Sequence, residues 1–231
     1  MSTIVILDGH PNPESLAAAL ADSYARGATA AGATVARLNL RELGFDPILH
    51  GGYRGDQPLE PDLVRAQEFI AECDHLALFT PLWWGSTPAL LKGFLDRTFE
   101  AGWAYHYSGS MPKGHLGGRS ARLLLTTDSP VWYLGPLQGH PTKKQIVRST
   151  LQFCGFGPVR FSRFGPVRTS TAADRDGWLT RAEEIGGDDA RRLARGTRRT
   201  KADPFAIREQ VRSERAESAQ GVALHQDAAR T

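Results

Sequence analysis

His10 and Ser15 lie in a turn-rich stretch, Gly9-His10-Pro11-Asn12-Pro13-Glu14-Ser15, that leads from an apolar run into an alanine-rich one. At a strand-to-helix turn of this kind, free backbone amides and the helix dipole favour a phosphate. Ser15 adds a hydroxyl donor and His10 an N–H or a positive charge. Their blander roles are helix N-cap for Ser15 and turn residue for His10. A second cluster is Pro81-Leu82-Trp83-Trp84-Gly85-Ser86-Thr87-Pro88. Eight of the chain's 20 aromatic residues fall between Phe79 and Tyr107. Phe79, Phe94 and Phe99 are simplest as core, whereas adjacent tryptophans diverge in direction and sit in a loop bounded by Pro and Gly. One such ring can wall a planar ligand while loop amides meet its polar edge. The third cluster offers hydroxyls at Thr126 and Thr127, then the phenol of Tyr133 and the imidazole of His140. A phenol and imidazole pair can donate to negative charge that develops on a reduced ring, although His140 alone also fits a structural loop histidine.

The elements that must position these clusters alternate regularly. Short apolar runs at 3–8, 34–40, 75–80, 121–127 and 159–164 predict strands; 15–31, 61–73, 87–99, 142–154 and 172–185 predict helices, with Pro88 suited to a first turn. Continuous rather than alternating hydrophobicity marks strands covered on both faces. Five strands alternating with helices predict an α/β fold with a doubly wound parallel sheet. Ligands of such sheets sit at the carboxyl ends of the strands, where all three clusters fall. No G-x-G-x-x-G follows a strand, and the P-loop, H-E-x-x-H and G-x-S-x-G motifs are absent. Their absence favours a flavodoxin-like order, 2-1-3-4-5, with helices on both faces, and a flavin as the ligand.

Composition bounds the rest. The chain has 231 residues, 41% hydrophobic and 23% charged, enough apolar mass for a core. No spanning segment or leader is visible, and Cys73 and Cys154 lie far apart, which argues against a disulfide scaffold or cysteine-rich metal site and fits a cytoplasmic setting. No metal site is expected. The net charge of +3 raises nucleic acid as a partner, but residues 1–186 carry 18 Lys+Arg and 18 Asp+Glu, while 187–231 carry 10 and 7. The excess belongs to the final segment, so no nucleic-acid partner is expected. Gly186-Gly187 is read as the break between a ligand-binding domain, 1–186, and a basic extension, 187–231, partly helical or disordered, whose Phe205 and Ile207 could dock on a partner subunit.

From residue 4 to about 186 the sequence resembles the two-electron quinone reductase family of flavodoxin-like NAD(P)H oxidoreductases, which includes drug-activity modulators and ancillary subunits of potassium efflux systems. The specific segments are Pro81-Leu82-Trp83-Trp84, Pro88-Ala89-Leu90-Leu91-Lys92-Gly93-Phe94-Leu95-Asp96-Arg97, Ala104-Tyr105-His106-Tyr107 and Phe153-Cys154-Gly155-Phe156. The resemblance implies FAD, or FMN as in related branches, with NAD(P)H as co-substrate and a quinone-like acceptor reduced by ping-pong hydride transfer. It places His10, Ser15, Leu16 and Ala17 at the flavin phosphate end. Pro81, Leu82, Trp83, Trp84 and Gly85, with Thr126, Thr127 and Asp128, fall along the flavin ring and its chain. Tyr133 and His140 take the catalytic relay positions. Trp84, Tyr105 and Tyr107 line the substrate slot, the two tyrosines reaching a neighbouring subunit in a homodimer. Asp128-Ser129-Pro130 departs from the family's glycine pair. A transporter-bound regulatory subunit and a flavodoxin-type electron carrier are the rival functions.

Overall fold

The computed structural model describes residues 1–52, 57–130, 132–196 and 200–213. Strand β1 (Thr3–Asp8) leads into α1 (Leu16–Ala30), β2 (Thr34–Asn39), a 3-10 turn (Leu40–Glu42), α2 (Pro61–Glu72), β3 (His75–Pro81) and α3 (Ala89–Thr98). A hairpin of β4 (Tyr105–Ser108) and β5 (Met111–Gly114) follows, then β6 (Ser120–Thr126). A π-helical turn (Tyr133–Leu137) precedes α4 (Pro141–Lys143), which continues as a wider π-helical segment (Lys144–Gln152), and β7 (Val159–Phe164) and α5 (Ala172–Arg195) follow.

The fold is flavodoxin-like, with a five-stranded parallel sheet ordered β2-β1-β3-β6-β7. The five expected strands stand side by side in the expected sequence, but counted along the chain the order reads 2-1-3-6-7 and not 2-1-3-4-5, because β4 and β5, which were not expected, form a separate antiparallel pair outside the sheet. The strands are only four residues long, too short for a clear period, and β5 (Met111-Pro112-Lys113-Gly114) carries no apolar alternation. Side chains alternate across the main sheet. Val5 and Leu7 of β1 join Leu63, Ile70, Leu91, Phe94 and Ile146 on one face, while Ile4 and Ile6 join Leu20, Tyr24 and Ala182 on the other.

The last helix differs from expectation in length. It was expected to close at residue 185, yet α5 runs through Gly186-Gly187 to Arg195 and brings Asp189 and Ala190 into the interior. The glycines are packing devices here, not breakers. A Cβ on Gly186 would lie 2.1 Å from the Tyr24 carbonyl oxygen, and one on Gly27 would lie 1.9 Å from that of Glu183. The backbones of α1 and α5 therefore touch where neither helix has a side chain. We predict opposite outcomes for two substitutions in this helix. Gly186→Ala should destabilise by about 1–3 kcal/mol, since only a backbone shift relieves the overlap. Gly177→Ala, with nothing within 4 Å, should stabilise by up to about 1 kcal/mol through helix propensity alone. Chemical denaturation of the two variants checks the sign.

Residues 204–213 form a further helix. Phe205 packs on Trp103 of the same chain at 6.1 Å between ring centroids, and Arg208 pairs with Glu100 at 3.5 Å. The segment leading to it is anchored by Arg119, which donates to the carbonyls of Gly117 and Ala202 at 2.9 Å each and to that of Ala71 through Nε at 3.1 Å. Phe205, for which docking on a partner subunit was one option, thus packs against this chain's own core. The disorder expected toward residue 231 lies outside the described residues. Among the described residues no helix is long and apolar enough to cross a membrane.

Candidate functional site

The carboxyl ends of β1, β3 and β6 deliver the three clusters to one edge of the sheet. At the first, Ser15 caps α1, its Oγ accepting from the Ala18 amide at 3.2 Å. That leaves the amides of Leu16 and Ala17, in the first turn, without an acceptor among the described residues, as helix starts require. Asp8, fully buried at the end of β1, holds the loop by accepting from the His10 amide at 3.1 Å and pairing with Arg41 at 2.5 Å. Arg41 was not foreseen; a carboxylate ending a buried strand was the signal that a cation would be found beside it. The His10 Nδ1 accepts from the Asn12 amide at 3.0 Å, so a neutral ring carries its proton on Nε2. Burial lowers the His10 pKa despite the opposing pull of Asp8, which keeps the ring a neutral donor at pH 7.

The second cluster is a tight turn. Trp83 and Ser86 exchange both backbone hydrogen bonds, at 3.0 and 2.9 Å, around Trp84 (φ 53°) and Gly85 (φ 74°). Two consecutive left-handed residues match the right-handed twist of a hairpin, and glycine serves the second at no cost. Tryptophan does not, and such a backbone costs on the order of 1–3 kcal/mol. Trp84 is 104% exposed, so packing within the chain does not explain the strain. Leu82 is tied to β6 through its amide and the Thr126 carbonyl at 2.8 Å, and Pro81 ends β3. The Trp83 ring meets His10 edge-on at 5.6 Å, joining the first cluster to the second. Thr87 Oγ1 is buried there without a partner.

The third cluster repeats the pattern of strain. Among the described residues, Trp84 and His140 are the two non-glycine positions with positive φ, and His140 (φ 52°) follows Gly139 (φ 62°). The two strained turns abut: Thr142 Oγ1 donates to the Gly85 carbonyl at 2.8 Å, and Ser86 Oγ donates to Gln145 Oε1 at 2.9 Å. His140 and Tyr133 belong to one loop, since the His140 amide donates to the Leu134 carbonyl at 2.7 Å, but no hydrogen bond joins their side chains. Tyr133 Oη accepts from Gln138 at 3.1 Å. Burial, reinforced by the charges of Lys143, Arg163 and Lys144, lowers the His140 pKa. Thr127 Oγ1 accepts from the Ser129 amide at 3.0 Å, and Asp128 accepts from the Arg168 amide at 2.6 Å, so that carboxylate is turned to the loop after β7. On the hairpin, Tyr105 packs edge-on against Phe153 at 4.9 Å and against Tyr107 at 5.8 Å; Tyr107 is 56% exposed. Cys73 and Cys154 are buried, which pushes both thiols up to about 12 and removes them as nucleophiles at neutral pH.

A parallel sheet with free helix amides, a strained aromatic turn and a strained histidine turn at its carboxyl edge defines a flavodoxin-type α/β protein whose carboxyl edge is the candidate ligand site. The chain belongs to the flavodoxin-like fold family, which it matches over residues 2–185. It is 36% identical over 102 residues to NAD(P)H dehydrogenase (quinone) 1 of Cavia porcellus, a match covering 42% of this chain and 37% of that protein. It is 27% identical over 187 residues to ribosyldihydronicotinamide dehydrogenase (quinone) of Mus musculus, covering 66% of this chain and 77% of that one. The solved NAD(P)H:quinone oxidoreductase from Methanothermobacter marburgensis superimposes with a TM-score of 0.70 at 25% identity, over 81% of this chain and 98% of the other.

Proposed function

We propose that this chain is a flavin-dependent NAD(P)H oxidoreductase that reduces quinones or similar acceptors by two-electron, ping-pong hydride transfer. The observation that carries this reading is the confinement of the left-handed Trp84 and His140 to one sheet edge, beside the free amides of Leu16 and Ala17. The donor set fits a flavin. The Leu16 and Ala17 amides, with His10 Nε2–H, would receive its phosphate; Trp83 and Trp84 with Gly85 would border its ring, and Thr126 and Thr127 its chain. FAD is the form favoured by the family resemblance, with FMN the other candidate. When bound, the flavin supplies a ring that takes a hydride from a reduced nicotinamide and passes it to an acceptor. The remaining work falls to side chains. Trp84 would hold the donor or acceptor ring flat in a slot completed by the hairpin of a second subunit, bearing Tyr105 and Tyr107. His140, neutral at physiological pH, would donate an N–H toward the charge that hydride transfer leaves behind, with Tyr133 beside it in the loop.

Anaerobic mixing of the flavin-loaded protein with NADPH or NADH should bleach its yellow absorbance, and bleaching by neither would overturn the reading. His140→Ala should slow that reduction about 10²-fold while leaving flavin content intact. Because burial and the neighbouring cations lower the His140 pKa from its ordinary value, the neutral ring predominates at neutral pH and above, and the wild-type rate should be flat there and change only in more acidic solution.

A further inference from the structure

The neutral charge balance of residues 1–186 hides a strong local imbalance. Between Glu100 and Asp174 the chain carries nine Lys and Arg and a single acid, Asp128. Arg119 is spent on backbone carbonyls and Arg122 on Asp189, while Asp128 is held by the Arg168 amide. Of the seven others, Lys143, Lys144 and Arg163 are the three whose charges act on His140, and none of the three is in a salt bridge among the described residues. Their placement is specific. Lys143 Nζ stands 5.4 Å over the Phe161 ring, which His140 also meets at 6.1 Å. Lys144 Nζ lies 3.0 Å from where a Cβ on Gly139 would be. Arg163 follows Phe161 by two on β7, so it shares that face, and its half-buried guanidinium keeps one nitrogen, NH1, out of water and without a partner. All three cations therefore crowd the strained His140 turn, and Thr142 between them and the tryptophan turn fixes their position relative to Gly85. Burying part of an arginine beside two lysines is unfavourable unless an anion arrives to compensate.

We propose that Lys143, Lys144 and Arg163 form a phosphate subsite at the rim of the flavin edge, which takes a phosphate of the nicotinamide donor and makes this chain select dinucleotides over phosphate-free reduced nicotinamides. The inference rests on the oxidoreductase reading above. A dinucleotide offers two sources of the same chemistry, the pyrophosphate common to NADH and NADPH and the 2′-phosphate that NADPH alone carries. A guanidinium and two ammonium groups match either, the former as a fork and the latter as adjustable point charges.

Stopped-flow reduction of the flavin-loaded protein by NADPH, NADH and dihydronicotinamide riboside tests the inference, alongside calorimetric titration with ADP and with adenosine 2′,5′-bisphosphate. The dinucleotides should saturate at concentrations about tenfold or more below the riboside, the scale of charge-assisted contacts to phosphate. In the double variant Lys143→Glu with Lys144→Glu that gap should close, and calorimetric binding of both adenosine phosphates should vanish. An advantage of NADPH over NADH would assign the 2′-phosphate; equal saturation would assign the pyrophosphate. A riboside that saturates as low as the dinucleotides, or ADP binding that survives the double charge reversal, would overturn the proposal. Salt-sensitive binding of polyglutamate without binding of ADP would also overturn it, and would give the cations to an acidic protein partner. The calorimetry does not depend on flavin reduction, so a protein that no donor bleaches refutes the oxidoreductase reading separately.

Discussion

Asp189→Ala should cost about 3–5 kcal/mol of folding stability, the scale found when one member of a buried ion pair is removed and the other stays behind. Asp189, from α5, is 2% exposed and reaches across to β6, where Arg122 grips it with Nε at 2.6 Å and NH2 at 2.7 Å. Tyr24 of α1 donates its hydroxyl to the same carboxylate at 3.0 Å, and His75 Nε2 stands 3.4 Å away. Alanine would leave a guanidinium and a phenol buried with unmet donors, only one of the Arg122 nitrogens retaining Ser162 Oγ at 3.0 Å. Burial by itself would raise the Asp189 pKa; Arg122 and His75 more than offset that and hold it well below the usual carboxylate range. A depressed folded pKa means the contribution is fully present above the unfolded value near 4 and is lost as pH falls below it. Wild type and variant should therefore differ in urea midpoint at pH 7, with unchanged slope, and converge only in strongly acidic solution. The double variant Arg122→Met with Asp189→Leu, which removes both charges, should lose less than Asp189→Ala. A single variant within 1 kcal/mol of wild type would show that the network contributes little.

This network also marks the limit of what the sequence makes legible. β1, β3 and most of β6 announced themselves as apolar runs and are buried on both faces, whereas β2 and β7, interrupted by Arg37 and by Arg160, Ser162 and Arg163, were legible mainly from their place in the strand-helix alternation. Helix ends were less legible. Gly186-Gly187 looks like a stop because glycine is a poor helix former, and the reason it is tolerated, contact with the Tyr24 carbonyl 162 residues earlier, is a tertiary fact. Asp189 beyond it looked like part of a solvated extension for the same reason. At the site, the residue types that suit a ligand were visible, and so were their loops. Strain was not: nothing in the letters says that Trp84 and His140 adopt left-handed backbones, and these two conformations are what single out the edge physically. Averaging charge over 186 residues likewise concealed the basic stretch around Lys143, because compensating acids lie elsewhere in the fold.

Ser15→Asp should expel the flavin while leaving the fold intact, and the separation of those two outcomes makes it the most informative substitution at the ligand edge. Aspartate is as good an N-cap as serine, so the Ala18 amide keeps an acceptor. A carboxylate at the N-terminus of α1 also interacts favourably with the helix dipole, by about 0.3–1 kcal/mol, and the variant should melt at or slightly above the wild-type temperature. A phosphate at the same amides meets a different balance. A negative charge roughly 5 Å from another in a partly exposed setting raises its energy by about 3 kcal/mol, more than a hundredfold in affinity, and the carboxylate competes for the Leu16 and Ala17 amides as well. Ser15→Ala provides the contrast: it loses the cap, with about 1 kcal/mol of stability, yet adds no charge and should keep much of its flavin. Absorbance of the purified variants gives the occupancy, and heat release followed by chromatography identifies the flavin as FAD or FMN. If Ser15→Asp retains full flavin, the phosphate does not sit at the start of α1, and the ligand edge must be oriented the other way round.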